Sequence, residues 1–475
     1  MAERFRVGFL PPGVAPPEGE AGREPLSVRD LLCERVSPTA DVLGRTAVFL
    51  SGGGSSLGKL PAGRILTRLG AVHAAWGQPD SPYRRQAVAE LAPATGYHPE
   101  TLDRALLGLF RGLTAERLEQ WLRAAGIQPE DLDPLTPGRT TRVLGPRLTL
   151  VVASGNVPGA ALPSVVQALL LKSPVLVKLS REEPVLLSLY ARSLAELAPE
   201  LAHFVAMICW DSAEDAERAR ALLPYSGAVV VYGGGSAVSA WRNRLSPGQR
   251  FLGYGHRLSI AAVGREQLTR TRAPRAAALA VQDAVRFDQQ GCLSPQWWFV
   301  ETGGEVEPAA WASLVVSELE LARDRTPRRV LTAGESAALH QYRTETELRA
   351  LREPGLQLWC SDPGTEWTLL LDPSLELRPG PLNRTVVLHA VPDLNVVPVL
   401  LGGLDAVLLS ASLGVDGARR PALADELLAA GFTRICPLGQ AQDPRDFGLH
   451  DGLNGIAALA RYGVVEPDRE GAGGS

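Results

Sequence analysis

Cys292 stands in DQQGCLSPQ, with Gly291 before it and Ser294-Pro295 closing the turn behind it. A reactive thiolate needs a small, accessible turn and nearby dipoles that lower its pKa, and this setting permits one. A lone cysteine is also among the residue types most often buried and inert, and on this stretch alone that reading fits better. Three other stretches bear on the choice. In VVASGNVPG, Asn156 follows a buried strand and precedes a helix, at the carboxyl end where open α/β sheets place ligands. Its carboxamide could donate to a developing oxyanion, or simply cap a helix or close an Asx turn. VKLSREE ends the next strand and sets Lys178, Ser180 and Arg181 at the same edge. Two cations there suit a nucleotide's ribose or phosphate, or a solvated strand end. VYGGGSAVSAW places Gly233, Gly234, Gly235 and Ser236 between a strand and a helix, a turn suited to a pyrophosphate though weak as a signal by itself.

The elements that carry these residues alternate. RLTLVVAS reads as a strand, PGAALPSVVQALLLK as a helix with Pro158 near its first turn, and PVLVKLS as a second strand. The unit repeats through a helix over 183–197, strand HFVAMICW, a helix in SAEDAERARALL capped by Ser212, and strand GAVVVYG. A parallel, doubly wound sheet follows. Strand RLSIAAVG, a helix over 275–287, strand QWWFVET and a helix over 308–322 continue the α/β pattern on both sides of Cys292, which lies in a connection. Trp297 and Trp298 are expected to pack within their strand. Residues 64–126 read as a helical lead-in. Residues 1–27 and 466–475, rich in Pro, Gly and Glu, are expected to be mobile.

Composition removes several function classes. The chain of 475 residues is 45% hydrophobic with net charge -4, so it can fill two or three cores and offers no broad basic field to nucleic acid. The five cysteines Cys33, Cys209, Cys292, Cys360 and Cys436 are far apart and lack metal spacing, which argues against a disulfide framework or a zinc site and fits a reducing cytoplasm. The N-terminus has no apolar h-region, and no run approaches the length of a membrane span.

A competing class comes from GGGSSLGK, Gly52 to Lys59, after a strand-like TAVFLS: a P-loop nucleotide-binding protein. It fails at the next position, where Leu60 replaces the magnesium-binding Ser or Thr.

Taken together, Asn156, Lys178, the Gly-Ser turn and Cys292, in that order, resemble the aldehyde dehydrogenase superfamily. Within it, DQQGCLSPQ, HRLS after FLGYG, LNR at Leu382 to Arg384 and HDG at His450 to Gly452 resemble the LuxC family, the fatty acyl-CoA reductases of bacterial bioluminescence operons. The resemblance runs from about Leu148 to Arg461 and rests most on the cysteine motif.

The resemblance implies an aldehyde dehydrogenase-like α/β fold: a helical lead-in with a Rossmann-type NADP(H)-binding domain over 28–255, a catalytic domain over 256–430 and a C-terminal segment over 431–465. It implies Cys292 as nucleophile, Asn156 with the Cys292 backbone N–H as oxyanion hole, Lys178 on the adenosine ribose, and a role for His450 that cannot be derived; His256 is expected to be structural. Two departures refine it. Aldehyde-oxidising relatives carry a water-activating Glu where LGYGHRLS has Gly253, so a thioacyl-enzyme here should resist hydrolysis. Arg181 stands where NAD-preferring relatives often place an acid, which favours NADPH. The expected activity is NADPH-dependent reduction of a long-chain acyl-CoA to the aldehyde; an acyl phosphate or a short acyl-CoA is the alternative. An acyl-protein synthetase is a possible partner, and a homo-oligomer the expected state.

Overall fold

The computed structural model describes residues 4–14, 23–443 and 449–466. The chain divides into two units, one of Met1–Thr95, Asp103–Gly255 and Asp446–Ser475, the other of Gly96–Leu102 and His256–Arg445. No described helix is long and apolar enough to cross a membrane.

The first unit is built on five parallel strands in the spatial order Val205–Cys209, Val175–Leu179, Thr149–Val152, Ala228–Tyr232, Arg250–Tyr254. The chain lays down the central strand first, builds outward on one side, then returns to the other. Thr149–Val152 and Ala228–Tyr232 therefore flank the point where the winding reverses, and the crevice beyond their carboxyl ends is where such sheets take ligands. Every residue of these two strands is buried, which explains their unbroken apolar runs.

Several expected elements shift. TAVFLS is not a strand: Ala40–Leu57 is one helix, capped by the Thr39 hydroxyl, which accepts from Val42 N–H. Leu43, Ala47 and Leu50, spaced by four and three, are fully buried along one face, and that period decides against a strand. GGGSSLGK consequently runs out of a helix instead of leading into one, with Gly58 at the helix end, so the P-loop reading fails. Pro158 is not the helix-starting proline, because the helix runs Leu162–Leu170 with Pro163 in its first turn. Nor does Ser212 cap the helix Asp215–Leu222; Asp211 caps the short turn before it, accepting from Ala213 N–H. Within the segment expected to be mobile, Phe5–Val7 and Arg23–Val28 are strands of a small three-stranded sheet. Of the two segments expected to be mobile, residues 1–3, 15–22 and 467–475 lie outside the described residues.

The second unit carries seven strands in the order Gln357–Cys360, Thr368–Asp372, Thr385–Val391, Pro295–Glu301, Leu258–Val263, Leu408–Gly414, Arg434–Pro437, all parallel except the first. Helices Ala273–Val285 and Pro308–Arg325 cover one face, and Arg420–Ala429 covers the other. Trp297 and Trp298 point to opposite faces of their strand and are buried in the two cores.

At the far end of that strand Glu301 is a buried hub. It accepts from both terminal nitrogens of Arg419 at 2.9 and 2.6 Å, from Arg265 N–H and Nε, and from Leu394 N–H. Burial raises its pKa, but Arg419 and the backbone donors outweigh it and hold the carboxyl at about 2. An unfolded glutamate titrates near about 4.3, so this stabilisation is complete above that pH and lost as pH falls toward 2. At neutral pH the fall from about 4.3 to about 2 is equivalent to about 3 kcal/mol of folding free energy. Glu301→Gln should lower the urea midpoint at neutral pH and flatten its fall in acid; an unchanged acid limb in the variant would assign that limb to other groups.

Candidate active site

Cys292 is half-buried in the connection between helix Ala273–Val285 and strand Pro295–Glu301, so it stands at the amino end of its sheet. Its turn is tied at several points. Ser294 N–H donates to Gly291 C=O at 3.0 Å. In a trans peptide the next N–H points opposite that carbonyl, so the Cys292 N–H is directed out of the turn, as an oxyanion donor must be. Ser259 Oγ, fully buried on the neighbouring strand, donates to the Cys292 carbonyl at 2.7 Å. Gln442 Nε2 donates to Ser294 Oγ at 2.6 Å, and Gln289 Nε2 closes the neck of the loop on Pro295 C=O at 3.0 Å.

The approach to this turn is strained. Phe287, Asp288 and Gln289 have φ of 56°, 50° and 61°, three consecutive residues in the left-handed region. Such conformations cost about 1–2 kcal/mol per residue and persist only when tertiary contacts hold them. Here the Asp288 carboxylate accepts from Arg384 Nε at 2.6 Å and from Arg329 N–H at 2.9 Å, with Asp288 and Arg384 both 2% exposed. Leu382, Asn383 and Arg384 form a second left-handed run, φ 58°, 54° and 64°. Asn383 Oδ1 accepts from Gln290 Nε2 at 2.9 Å, which joins the two runs a second time. HRLS and LNR, which carried the family resemblance without a role, thus supply Ser259, Asn383 and Arg384 to the cysteine loop. Asp288, Gln289, Gln290, Arg329 and Gln442 were missed; their signal is tertiary, apart from the polar run before Cys292.

The other four thiols are in different surroundings. Burial pushes Cys33 up to about 11 and raises Cys209, Cys360 and Cys436 as well, which leaves them poor nucleophiles near neutral pH.

The remaining predicted residues belong to the first unit, and its sheet brings them to one edge. Asn156 is exposed in the bend after Thr149–Val152. The bend packs tightly: a Cβ on Gly155 would lie 2.5 Å from Glu182 Cβ and 2.6 Å from Ser180 Oγ. Lys178 is buried on the adjacent strand, level with Val152, its Nζ donating to Ser212 Oγ at 2.7 Å and lying 3.9 Å from Asp215. Ser180 Oγ accepts from Glu182 N–H. Arg181 donates to Asp211 Oδ2 at 2.5 Å. Backbone donation from Ala213 and the Arg181 guanidinium hold the Asp211 carboxyl below its usual range. Gly233 N–H donates to Tyr254 C=O; Gly234, Gly235 and Ser236 are exposed, and a Cβ on either glycine would meet nothing within 4 Å. Helix Gly235–Arg242 therefore presents its first N–H groups openly.

This donor set fits a dinucleotide: an open glycine turn and helix start for the pyrophosphate, and a buried ammonium beside hydroxyl and carboxylate for a ribose. Gly253 has no room for a longer side chain, since its Cβ would lie 2.6 Å from Val238 Cγ1 and 2.8 Å from the Phe251 ring.

His450 lies in the hairpin Leu449–His450 and Leu453–Asn454, turned by Asp451 and Gly452 at φ 50° and 73°. Its ring is edge-on to Tyr254 at 4.3 Å and to Tyr232 at 5.7 Å, so HDG packs against the strand ends that carry the glycine turn. His256, expected to be structural, is exposed at the start of the second unit.

Comparisons with known proteins bear on the family and the fold. The family model described as acyl-CoA reductase (LuxC) matches residues 58–462. The long-chain acyl-protein thioester reductase of Vibrio harveyi is 22% identical over 422 residues, 86% of this chain and 83% of that one. That of Aliivibrio fischeri is 25% identical over 317 residues, 65% of this chain and 62% of that one. Among solved structures, aldehyde dehydrogenase 21 of Physcomitrella patens superposes with a TM-score of 0.73 at 10% identity, covering 99% of this chain and 100% of that one. An NAD-dependent benzaldehyde dehydrogenase from Corynebacterium glutamicum superposes with a TM-score of 0.68 at 13% identity, covering 95% and 96%. The fold is that of the aldehyde dehydrogenases.

Proposed function

Because this chain belongs to the LuxC family of acyl-CoA reductases, oxidoreductases of aldehyde dehydrogenase type, we propose that it reduces a long-chain acyl thioester to the aldehyde through a thioester formed on Cys292. The observation that carries this reading is the Cys292 loop, a half-buried cysteine on a turn held by Ser259 and Gln442 and approached through a strained run, while Cys33, Cys209 and Cys436 are buried and burial raises the pKa of Cys360. In the proposed reaction the Cys292 thiolate adds to the thioester carbonyl, and the donor's sulfur leaves as a thiolate and takes up a proton. The acyl group stays on Cys292 Sγ. Asn156 and the Cys292 N–H are assigned to the oxyanion. A bound reduced nicotinamide would supply the hydride that converts the acyl carbon to the aldehyde level; cleavage of the carbon–sulfur bond then returns the Cys292 thiolate. The absence of room for a water-activating side chain at Gly253 supports reduction over hydrolysis.

We assign the nucleotide to residues 28–255, through Lys178, Ser180, Arg181 and Gly233–Ser236, and the acyl chemistry to residues 256–430. The relatives are named for an acyl-protein substrate and the family for acyl-CoA, so the donor thiol is either coenzyme A or a partner protein's thiol. Reduced-nicotinamide oxidation should be followed with acyl-CoAs from acetyl to palmitoyl, with an acyl phosphate, and with a long-chain acylated protein. Turnover that rises with chain length supports the reading; turnover confined to acetyl-CoA or to an acyl phosphate overturns the long-chain assignment.

Arg181 is proposed to favour NADPH. A charge-assisted bond to the 2′-phosphate contributes about 1.5–3 kcal/mol, so Arg181→Gln should raise the KM for NADPH about ten- to hundredfold and leave that for NADH nearly unchanged. Equal KM values for the two cofactors in the wild type would remove Arg181 from this role.

A further inference from the structure

We propose that Asp288, Gln290, Asn383 and Arg384 are positioning residues for the nucleophile: two facing left-handed turns, clasped by the Asp288–Arg384 ion pair and the hydrogen bond from Gln290 to Asn383, set where Cys292 stands in its loop. The inference rests on the proposed role of Cys292. Gln289 and Pro295 pin the neck of the loop at 3.0 Å, and Cys292 is three residues from each. Between fixed ends of so short a span, the direction in which the chain leaves Asp288 decides where Cys292 lies. That direction is left-handed in three successive residues, none of them glycine, and only tertiary bonds keep it so. The bonds are specific. Arg384 reaches Asp288 through Nε while its Nη2 donates to Thr326 C=O at 2.7 Å, so two nitrogens of its planar fork are committed to fixed acceptors. Asn383 Oδ1 accepts from Gln290 Nε2 and from Arg329 Nη2, and its own Nδ2 donates to Pro381 C=O. Four of the six left-handed residues, Phe287, Gln289, Leu382 and Arg384, are types that rarely adopt this conformation, and such strain gathers where surrounding structure fixes a functional group.

Three variants test this: Arg384→Lys, Arg384→Gln and Gln290→Ala, the last leaving the buried ion pair intact. For each, the rate of Cys292 alkylation by iodoacetamide is measured across neutral pH. The single-turnover rate of Cys292 acylation by palmitoyl-CoA and the KM for palmitoyl-CoA are measured beside it, with the Tm. The clasp predicts acylation and alkylation slowed on the order of ten- to hundredfold in folded protein, with KM nearly unchanged and Arg384→Lys recovering part of what Arg384→Gln loses. Wild-type rates in folded variants would overturn it, and Gln290→Ala decides the matter if both Arg384 variants fail to fold. If wild-type Cys292 takes no acyl group, the functional reading falls, while the substrate-independent alkylation rates still decide the clasp.

Discussion

Cys292→Ala should abolish thioester reduction, lowering turnover on the order of 10⁴- to 10⁶-fold, the loss typical of removing an attacking nucleophile. The size follows from the absence of a substitute. Cys33, Cys209, Cys360 and Cys436 are all pushed toward the protonated form by burial, and Cys33, Cys209 and Cys436 are closed to solvent. The substitution should leave the fold unharmed, because Ser259 binds the Cys292 carbonyl and Gln442 binds Ser294, and neither contact involves the Cys292 side chain. Affinity for the reduced nicotinamide proposed above and Tm should therefore match the wild type. Residual turnover above one-hundredth of the wild type would mean that the acyl group travels by another route.

Asn156→Ala is the second large effect. Removing one oxyanion donor costs on the order of 100- to 1,000-fold in kcat, with little change in KM, because the interaction strengthens only as charge develops on the oxygen. The side chain is exposed, and the bend that carries it is fixed by the close approach of Gly155 to Ser180 and Glu182, so the alanine variant should fold normally. A kcat within threefold of the wild type would remove Asn156 from the reaction and leave its carboxamide a loop-forming group.

Much of the fold of the first unit was legible because its strands are near-continuous apolar runs. Asn156 follows one such strand, Lys178 is the penultimate residue of the next and Gly233 follows a third, and a parallel sheet delivers these strand ends to one edge. The support of Cys292 was not legible in the same way. Asp288 and Arg384 are 96 positions apart, and nothing local in PLNR or RFDQ announces left-handed backbone at residues other than glycine. TAVFLS misled for the opposite reason. Its six residues read as a strand, and only the longer spacing through Leu43, Ala47 and Leu50 exposes the helix. Pro158 and Pro163 were equally good helix starters by residue type; Gly159, with φ 81°, keeps the first of them in the turn.

The most direct test of a covalent route through Cys292 is to find the acyl group. Wild-type protein and Cys292→Ala, each incubated with a long-chain acyl donor and no reduced nicotinamide, would be measured by intact mass and then digested to locate the adduct. Catalysis through Cys292 predicts one acyl group on the Cys292 peptide of the wild type, absent from the variant and released as aldehyde when NADPH is added. An adduct on another residue, or one that persists in Cys292→Ala and still discharges to aldehyde, would contradict it.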